Sequence, residues 1–171
     1  MQRSLSNISL CDCDFKSDSG ITEMTVYQYD KAATHRGFLI VPFEVTRIAG
    51  KPLYSNILLF GYGYQHRWHK NENLSGIYAV DIFEVFVHAK AHLDREDACG
   101  GKEGHFSSSY TYLRNLIVIY EAAGRFYYDH YAPDRLTNIA APKLFSSKED
   151  CIEWVRTGLL RRTLRSTSSA K

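Results

Sequence analysis

The chain has 171 residues, a length that fits one domain better than two independent cores. Its formal net charge of +2 is too small to imply nucleic-acid binding by itself. The longest apolar runs fall well short of the ~18 residues of a membrane span. No charged segment followed by an apolar run opens the chain, so we expect a cytoplasmic protein, with export by a non-classical route left open.

The cysteines form no recognisable framework. Cys11 and Cys13 form a close pair, but the four cysteines, which also include Cys99 and Cys151, are too few for a disulfide-stapled secreted domain and lack the two tight pairs of a zinc finger. Cys99 lies six residues before His105, and a thiol or metal site there is the most that this arrangement suggests. We therefore expect a reducing compartment.

The two ends of the chain differ from its middle. Residues 1–23 are rich in Ser and Asp without periodicity, and they predict a flexible N-terminal arm, compatible with the export signal of a secreted effector. Residues 161–171 predict a basic, Ser-rich tail. The sequence between them, residues 24–160, predicts a single α+β domain.

The first half of that domain predicts β-strands. Residues 25–29 alternate and predict a short strand. Residues 38–47 and 53–62 are rich in β-branched and aromatic side chains, and a turn containing Gly and Pro separates them. This pattern predicts an antiparallel hairpin, with Pro42 marking an edge or a bulge.

Residues 77–94 favour a helix. Ser75 is placed to cap it, and most of the helical surface is apolar, which predicts a largely buried helix with one polar stripe. The alternative is a strand, because residues 85–93 also alternate.

The second half predicts two more helices and one strand. Residues 97–109 are glycine-rich and predict a loop. Residues 110–123 predict a helix that ends at Gly124, residues 125–131 a strand, and residues 132–146 an irregular segment. Ser147 precedes acidic residues and predicts the start of the last helix. No internal repeat is apparent, and the whole predicts an antiparallel sheet packed against two or three helices.

The segment 77–94 carries the first candidate site. Glu84, His88 and His92 recur at intervals of four, which places them on one face of either a helix or a strand. Two imidazoles one turn apart, with a carboxylate one turn earlier, can ligate a divalent metal ion, and Asp81 lies on the same stripe. The competing interpretation is a solvated stripe stabilised by acid–histidine pairs.

Cations mixed with aromatic rings form a second candidate site, suited to phosphate contacts and base stacking. The predicted loop holds five such residues: His66, Arg67, Trp68, His69 and Lys70. The C-terminal tail adds three arginines: Arg161, Arg162 and Arg165. Asp129 and His130, with Asp134 and Arg135 nearby, resemble a general-base pair, but neighbours on a strand point to opposite faces, which argues against direct cooperation. They are therefore expected to be ordinary surface residues.

Together these patterns favour a non-catalytic accessory or effector-type protein that binds a macromolecule. The 12 Tyr, 9 Phe and 2 Trp suit sheet edges or a binding surface, and neither a glycine-rich phosphate loop nor a Gly-x-Ser-x-Gly elbow occurs. A protein partner is favoured over nucleic acid, and the sequence does not indicate the oligomeric state. No cofactor is expected apart from a divalent metal at the histidine stripe.

Two alternatives stay open. One is a metal-dependent enzyme that uses Glu84, His88 and His92. The other is a nucleic-acid-binding protein that uses residues 66–70 and the C-terminal arginines.

Overall fold

The residues that the structure describes form two antiparallel sheets and two α-helices, which confirms the predicted α+β class. The structure, a computed structural model, describes residues 25–61, 66–96 and 104–168, so the predicted N-terminal arm lies outside it. The elements in chain order are β1 (Ala33–His35), β2 (Phe38–Ile48), β3 (Lys51–Phe60), α1 (Ile82–Arg95), β4 (Ser109–Tyr112), β5 (Asn115–Ala122), β6 (Arg125–Tyr131) and α2 (Lys148–Ser168).

The strands form two separate meanders where the sequence predicted one sheet. The first has the order β1-β2-β3 and the second β4-β5-β6, with antiparallel neighbours throughout. All four hairpin turns have two central residues with positive φ, the geometry that matches the twist of the strands. The hairpin predicted from residues 38–62 is therefore confirmed as β2 and β3.

Three apolar clusters arrange these elements in four layers. Leu39, Val41, Ile57 and Leu59 of the first sheet pack with Leu116, Val118 and Tyr131 of the second. The opposite face of the first sheet is covered by α1. The opposite face of the second sheet is covered by α2. Each fully buried large side chain contributes about 1.5–3 kcal/mol, so both faces of each sheet help to stabilise the fold.

The two halves repeat one βββα unit. Both turns that follow β2 and β5 contain Ala-Gly, and the pattern Leu-Ile-Val-x-aromatic-Glu occurs at 39–44 and again at 116–121. In both helices the fourth, eighth and twelfth residues are buried. The residue three positions before each helix pairs with the last strand of its sheet: Ala79 with Tyr54, and Phe145 with Phe126. The expectation that the chain has no internal repeat is therefore wrong.

The helix predicted for residues 110–123 is wrong, because this stretch forms β4 and β5. Leu116 and Val118 face the first sheet, whereas Ile117 and Ile119 face α2. A strand buried on both faces is apolar at every position, so its period of two disappears from the sequence. Gly124, predicted as a helix stop, lies in the turn between β5 and β6.

Other boundaries also shift. Residues 25–29 contribute one isolated bridge, between Tyr27 and Phe43, instead of a strand. The β-bulge in β2 lies between Glu44 and Thr46 and not at Pro42. Pro42 lies beyond the residues of β2 that pair with β1, and its carbonyl accepts a hydrogen bond from the Gln28 amide. The last helix starts as predicted, with the Ser147 hydroxyl capping the Asp150 amide, but it continues through the predicted tail to residue 168.

Candidate functional site

The outer face of α1 carries large apolar side chains in contact with solvent. The helix begins at Ile82, five residues later than predicted, and Asp81 caps it by accepting a hydrogen bond from the Phe83 amide at 2.9 Å. The exposed fractions are 54% for Tyr78, 57% for Val80, 69% for Phe83 and 47% for Val87. These four residues are called the α1 ridge below. The helix is therefore not the largely buried one that its composition predicted.

The ridge is held on rigid backbone. Two hydrogen bonds between Ala79 and Tyr54, of 2.7 and 3.1 Å, fix the extended segment to β3. Ala79 is buried, so Tyr78 and Val80 on either side of it project outwards. Phe83 and Val87 lie one helical turn apart. A preorganised apolar surface of this kind loses little conformational freedom when it binds a partner.

The repeat provides an internal comparison for α1. Counted from the first helical residue, the positions of Phe83 and Val87 correspond to those of Glu149 and Glu153 in α2. Both acids are exposed on the outer face of α2. Because the same fold accepts charged residues at these positions, the apolar residues of α1 are not required for folding.

The residues of the predicted metal site have unlike surroundings. Glu84 and His88 are exposed beside the α1 ridge, whereas His92 is half-buried with its ring 5.9 Å from that of Trp68. Asp81 is engaged as the helix cap. Across the part of the chain that the structure describes, no three His, Cys, Asp or Glu side chains are grouped so that they could hold a metal ion.

The predicted basic and aromatic loop packs mainly inwards. Trp68 is 8% exposed and belongs to the cluster under α1, so its ring is not accessible for stacking on a base. His69 Nδ1 accepts a hydrogen bond from the Phe60 amide, and burial lowers the pKa of His69 to about 4. The ring of His66 contacts Phe38 and Phe60, and Lys70 is half-buried. Arg67 is exposed and lies over the Trp68 ring.

The three predicted arginines lie on α2. Arg161, Arg162 and Arg165 are exposed in its last turns. The charge of Arg162 helps to lower the pKa of His130, secondary to the effect of burial. These side chains do not adjoin residues 66–70, which pack against the other sheet.

Sequence reasoning missed a buried polar cluster that contains Asp129. Its Oδ2 lies 3.9 Å from His105 Nε2, too long for a hydrogen bond, and the two side chains are 16% and 11% exposed. The Asn138 amide donates to Asp129 Oδ1 at 2.6 Å. His130 is buried on the opposite face, where its Nε2 lies 2.9 Å from Asn115 Oδ1. Asp129 and His130 are therefore not surface residues, although they do point to opposite faces as predicted.

Burial sets the protonation of this cluster. It raises the pKa of Asp129 to about 6 and lowers the pKa of His105, because burial disfavours the charged form of each group. The His105 ring also packs against Gly61, at whose position a Cβ atom would lie 2.6 Å from the ring. No local signal could have identified this cluster, because its members come from separate elements.

Of the four cysteines, Cys151 alone lies within the residues that the structure describes. Cys151 is buried beneath α2, and burial raises the pKa of its thiol to about 11, which disfavours a reactive thiolate. Cys11, Cys13 and Cys99 lie outside the described residues.

None of the helices within the described ranges combines the length and the hydropathy that crossing a membrane requires. Comparisons of the chain with protein-family models, with curated proteins and with solved structures found no match.

Proposed function

We propose that this protein is a non-catalytic binding protein whose α1 ridge docks onto an apolar surface of a partner protein. The observation that carries the proposal is the exposure of Tyr78, Val80, Phe83 and Val87, where the matching positions of α2 hold acids. Contiguous exposed apolar surface of this kind is typical of protein–protein contacts.

The surroundings of the ridge fit a protein interface. Glu84 and His88 border it on one side and Lys90 on the other, which gives an apolar centre with a polar rim. Aromatic anchors at the centre of an interface commonly contribute about 2 kcal/mol or more to binding. Phe83 is the most exposed aromatic residue of the ridge, so we assign it the role of anchor.

The proposal is tested by identifying what the ridge contacts. A photo-crosslinking amino acid at position 83, in the full chain expressed in its source cells, is expected to capture one protein reproducibly. The same amino acid at position 144 provides the matched control, because Leu144 is 55% exposed but lies far along the chain from α1. The captured protein is then purified and its dissociation constant measured directly. Equal labelling of the same protein from both positions would refute a ridge-specific contact.

Replacement variants complete the test. Phe83→Glu and Val87→Glu give α1 the residues that α2 already carries, so we expect the fold to tolerate them. An acid at position 83 also suits the first turn of a helix. Binding should weaken by about 30-fold or more for Phe83→Glu, the loss of an anchor worth about 2 kcal/mol.

A further inference from the structure

The outer face of α2 has an acidic first half and a basic second half. Glu149, Asp150 and Glu153 precede Thr157, whereas Arg161 and Arg165 follow it. All five charged side chains are exposed. Glu153 and Arg161 lie four residues before and four residues after Thr157, so the charge pattern is inverted about this residue.

The stability of the helix itself does not account for the whole of this pattern. Glu149 and Glu153 are like charges four residues apart, and so are Arg161 and Arg165; each such pair destabilises an isolated helix by a few tenths of a kcal/mol, about 0.2–0.5. Among the described residues, the recorded ion pairs include none that involves these four side chains. Glu149 and Asp150 in the first turn and Arg165 in the last turn suit the helix dipole, but this effect is confined to the end turns and does not account for Glu153 and Arg161.

We propose that α2 pairs antiparallel with α2 of a second copy of this chain, about a twofold axis near Thr157. In such a pair, residues equally far before and after Thr157 lie at the same height on the two helices. Glu153 therefore comes level with Arg161 of the other copy, and Asp150 with residues 164–165. Each contact occurs twice, because the interface is isologous.

Apolar surface on the same face supports this occupant. A shallow hollow of about 280 Å³ lies on the acidic half of α2. It is lined by Glu149, Ile152, Glu153, Arg156, Thr157 and Leu160. Leu160 and Leu164 are 45% and 66% exposed. Leu160 and Leu164 lie on the same edge of the helix as the hollow. Antiparallel pairing therefore places these two leucines of one copy at the height of the hollow on the other copy.

The arrangement would leave the α1 ridge accessible, because α1 and α2 cover opposite faces of the paired sheets. A dimer would then present two ridges and would bind a multivalent partner with increased avidity. The dimer itself rests on one helix from each copy, so we expect weak association that decreases with added salt.

Sedimentation equilibrium of the full chain, from micromolar to millimolar concentrations, tests the proposal. The mass is expected to rise from 19.6 kDa towards twice that value. Glu153→Lys or Arg161→Glu alone replaces attraction with repulsion at two symmetric places and should raise the dissociation constant about tenfold or more. The double variant Glu153→Lys/Arg161→Glu restores opposite charges in both copies and should return the constant to within about threefold of the original.

Glu84→Lys reverses an exposed acid on α1 and serves as the matched control, which should not change the mass. Circular dichroism of every variant verifies that the helices are intact; should a variant unfold, Leu160→Gln offers an uncharged substitution on the same face and is also expected to weaken the dimer. A chain that stays monomeric at millimolar concentration would overturn the proposal. So would a dimer that neither single charge reversal weakens.

Discussion

The contact between Gly61 and His105 yields the sharpest stability prediction. Gly61 follows β3 directly, and a Cβ atom there would lie 2.6, 2.7 and 2.8 Å from three atoms of the His105 side chain. Carbon atoms in contact prefer about 3.5–4.0 Å. The ring would have to move by roughly 1 Å, yet it already contacts Phe106 and Tyr120, with ring centroids 5.0 and 5.6 Å away.

Gly61→Ala should therefore destabilise the protein by about 1–3 kcal/mol, the usual cost of overpacking a filled site. The backbone of Gly61 is not in the left-handed region, so the new methyl group brings no conformational strain of its own. In a chain of this size, each kcal/mol lowers the melting temperature by roughly 2–4 °C.

A double-mutant cycle isolates the contact. In the background of His105→Gly the whole obstructing side chain is gone, its Cβ included, and Gly61→Ala should be neutral or stabilising by about 0.4–1 kcal/mol. Gly158→Ala is the control: a Cβ at that position of α2 meets no atom within 4 Å, so alanine should stabilise the helix by about 0.5–1 kcal/mol. The free energies of unfolding are measured by urea titration. An equal cost of Gly61→Ala in both backgrounds would refute the contact.

Two further predictions concern buried titratable groups. Asp129→Asn should raise the free energy of unfolding at pH 7 by about 1–3 kcal/mol. Burial raises the pKa of Asp129 to about 6, so the stability that the neutral carboxyl contributes at low pH is lost as the pH rises through that value and the buried group ionises. Asparagine stays neutral and avoids this loss. The gain should disappear near pH 4, and urea titrations at both pH values check this; a gain independent of pH would contradict it. The Cys151 thiol should resist alkylation in the native protein and react only at the rate of unfolding, because it is buried with a pKa of about 11. Mass spectrometry of Cys151 after timed alkylation measures this, and rapid labelling under native conditions would disagree.

Local signals in the sequence located the elements that carry clear turn or cap chemistry. The turn before Lys51 and the β-branched residues around it predicted the hairpin of β2 and β3. The Ser147 cap with acids in the first turn predicted the start of α2. Both signals act within a few residues, so they are legible without knowledge of the tertiary structure.

Features that depend on tertiary packing were not predictable in the same way. Periodicity could not separate a strand buried on both faces from a helix, so β5 was misassigned. The exposure of Phe83 depends on which face of α1 packs against the sheet. Because most of the helical surface of α1 is apolar, the sequence does not indicate which apolar face is buried. The approach of His105 to Asp129 joins residues 24 positions apart. The repeated Leu-Ile-Val-x-aromatic-Glu pattern, by contrast, was visible and would have indicated two equivalent halves.

Binding of a partner protein by the α1 ridge can be measured in a single titration. The protein captured through position 83 is titrated, in purified form, against the unchanged chain and against the Phe83→Glu and Leu144→Glu variants. We expect Phe83→Glu to weaken binding about 30-fold or more, whereas the affinity of Leu144→Glu should stay within about threefold of that of the unchanged chain. Equal affinity for all three proteins would contradict the assignment of the ridge as the binding surface.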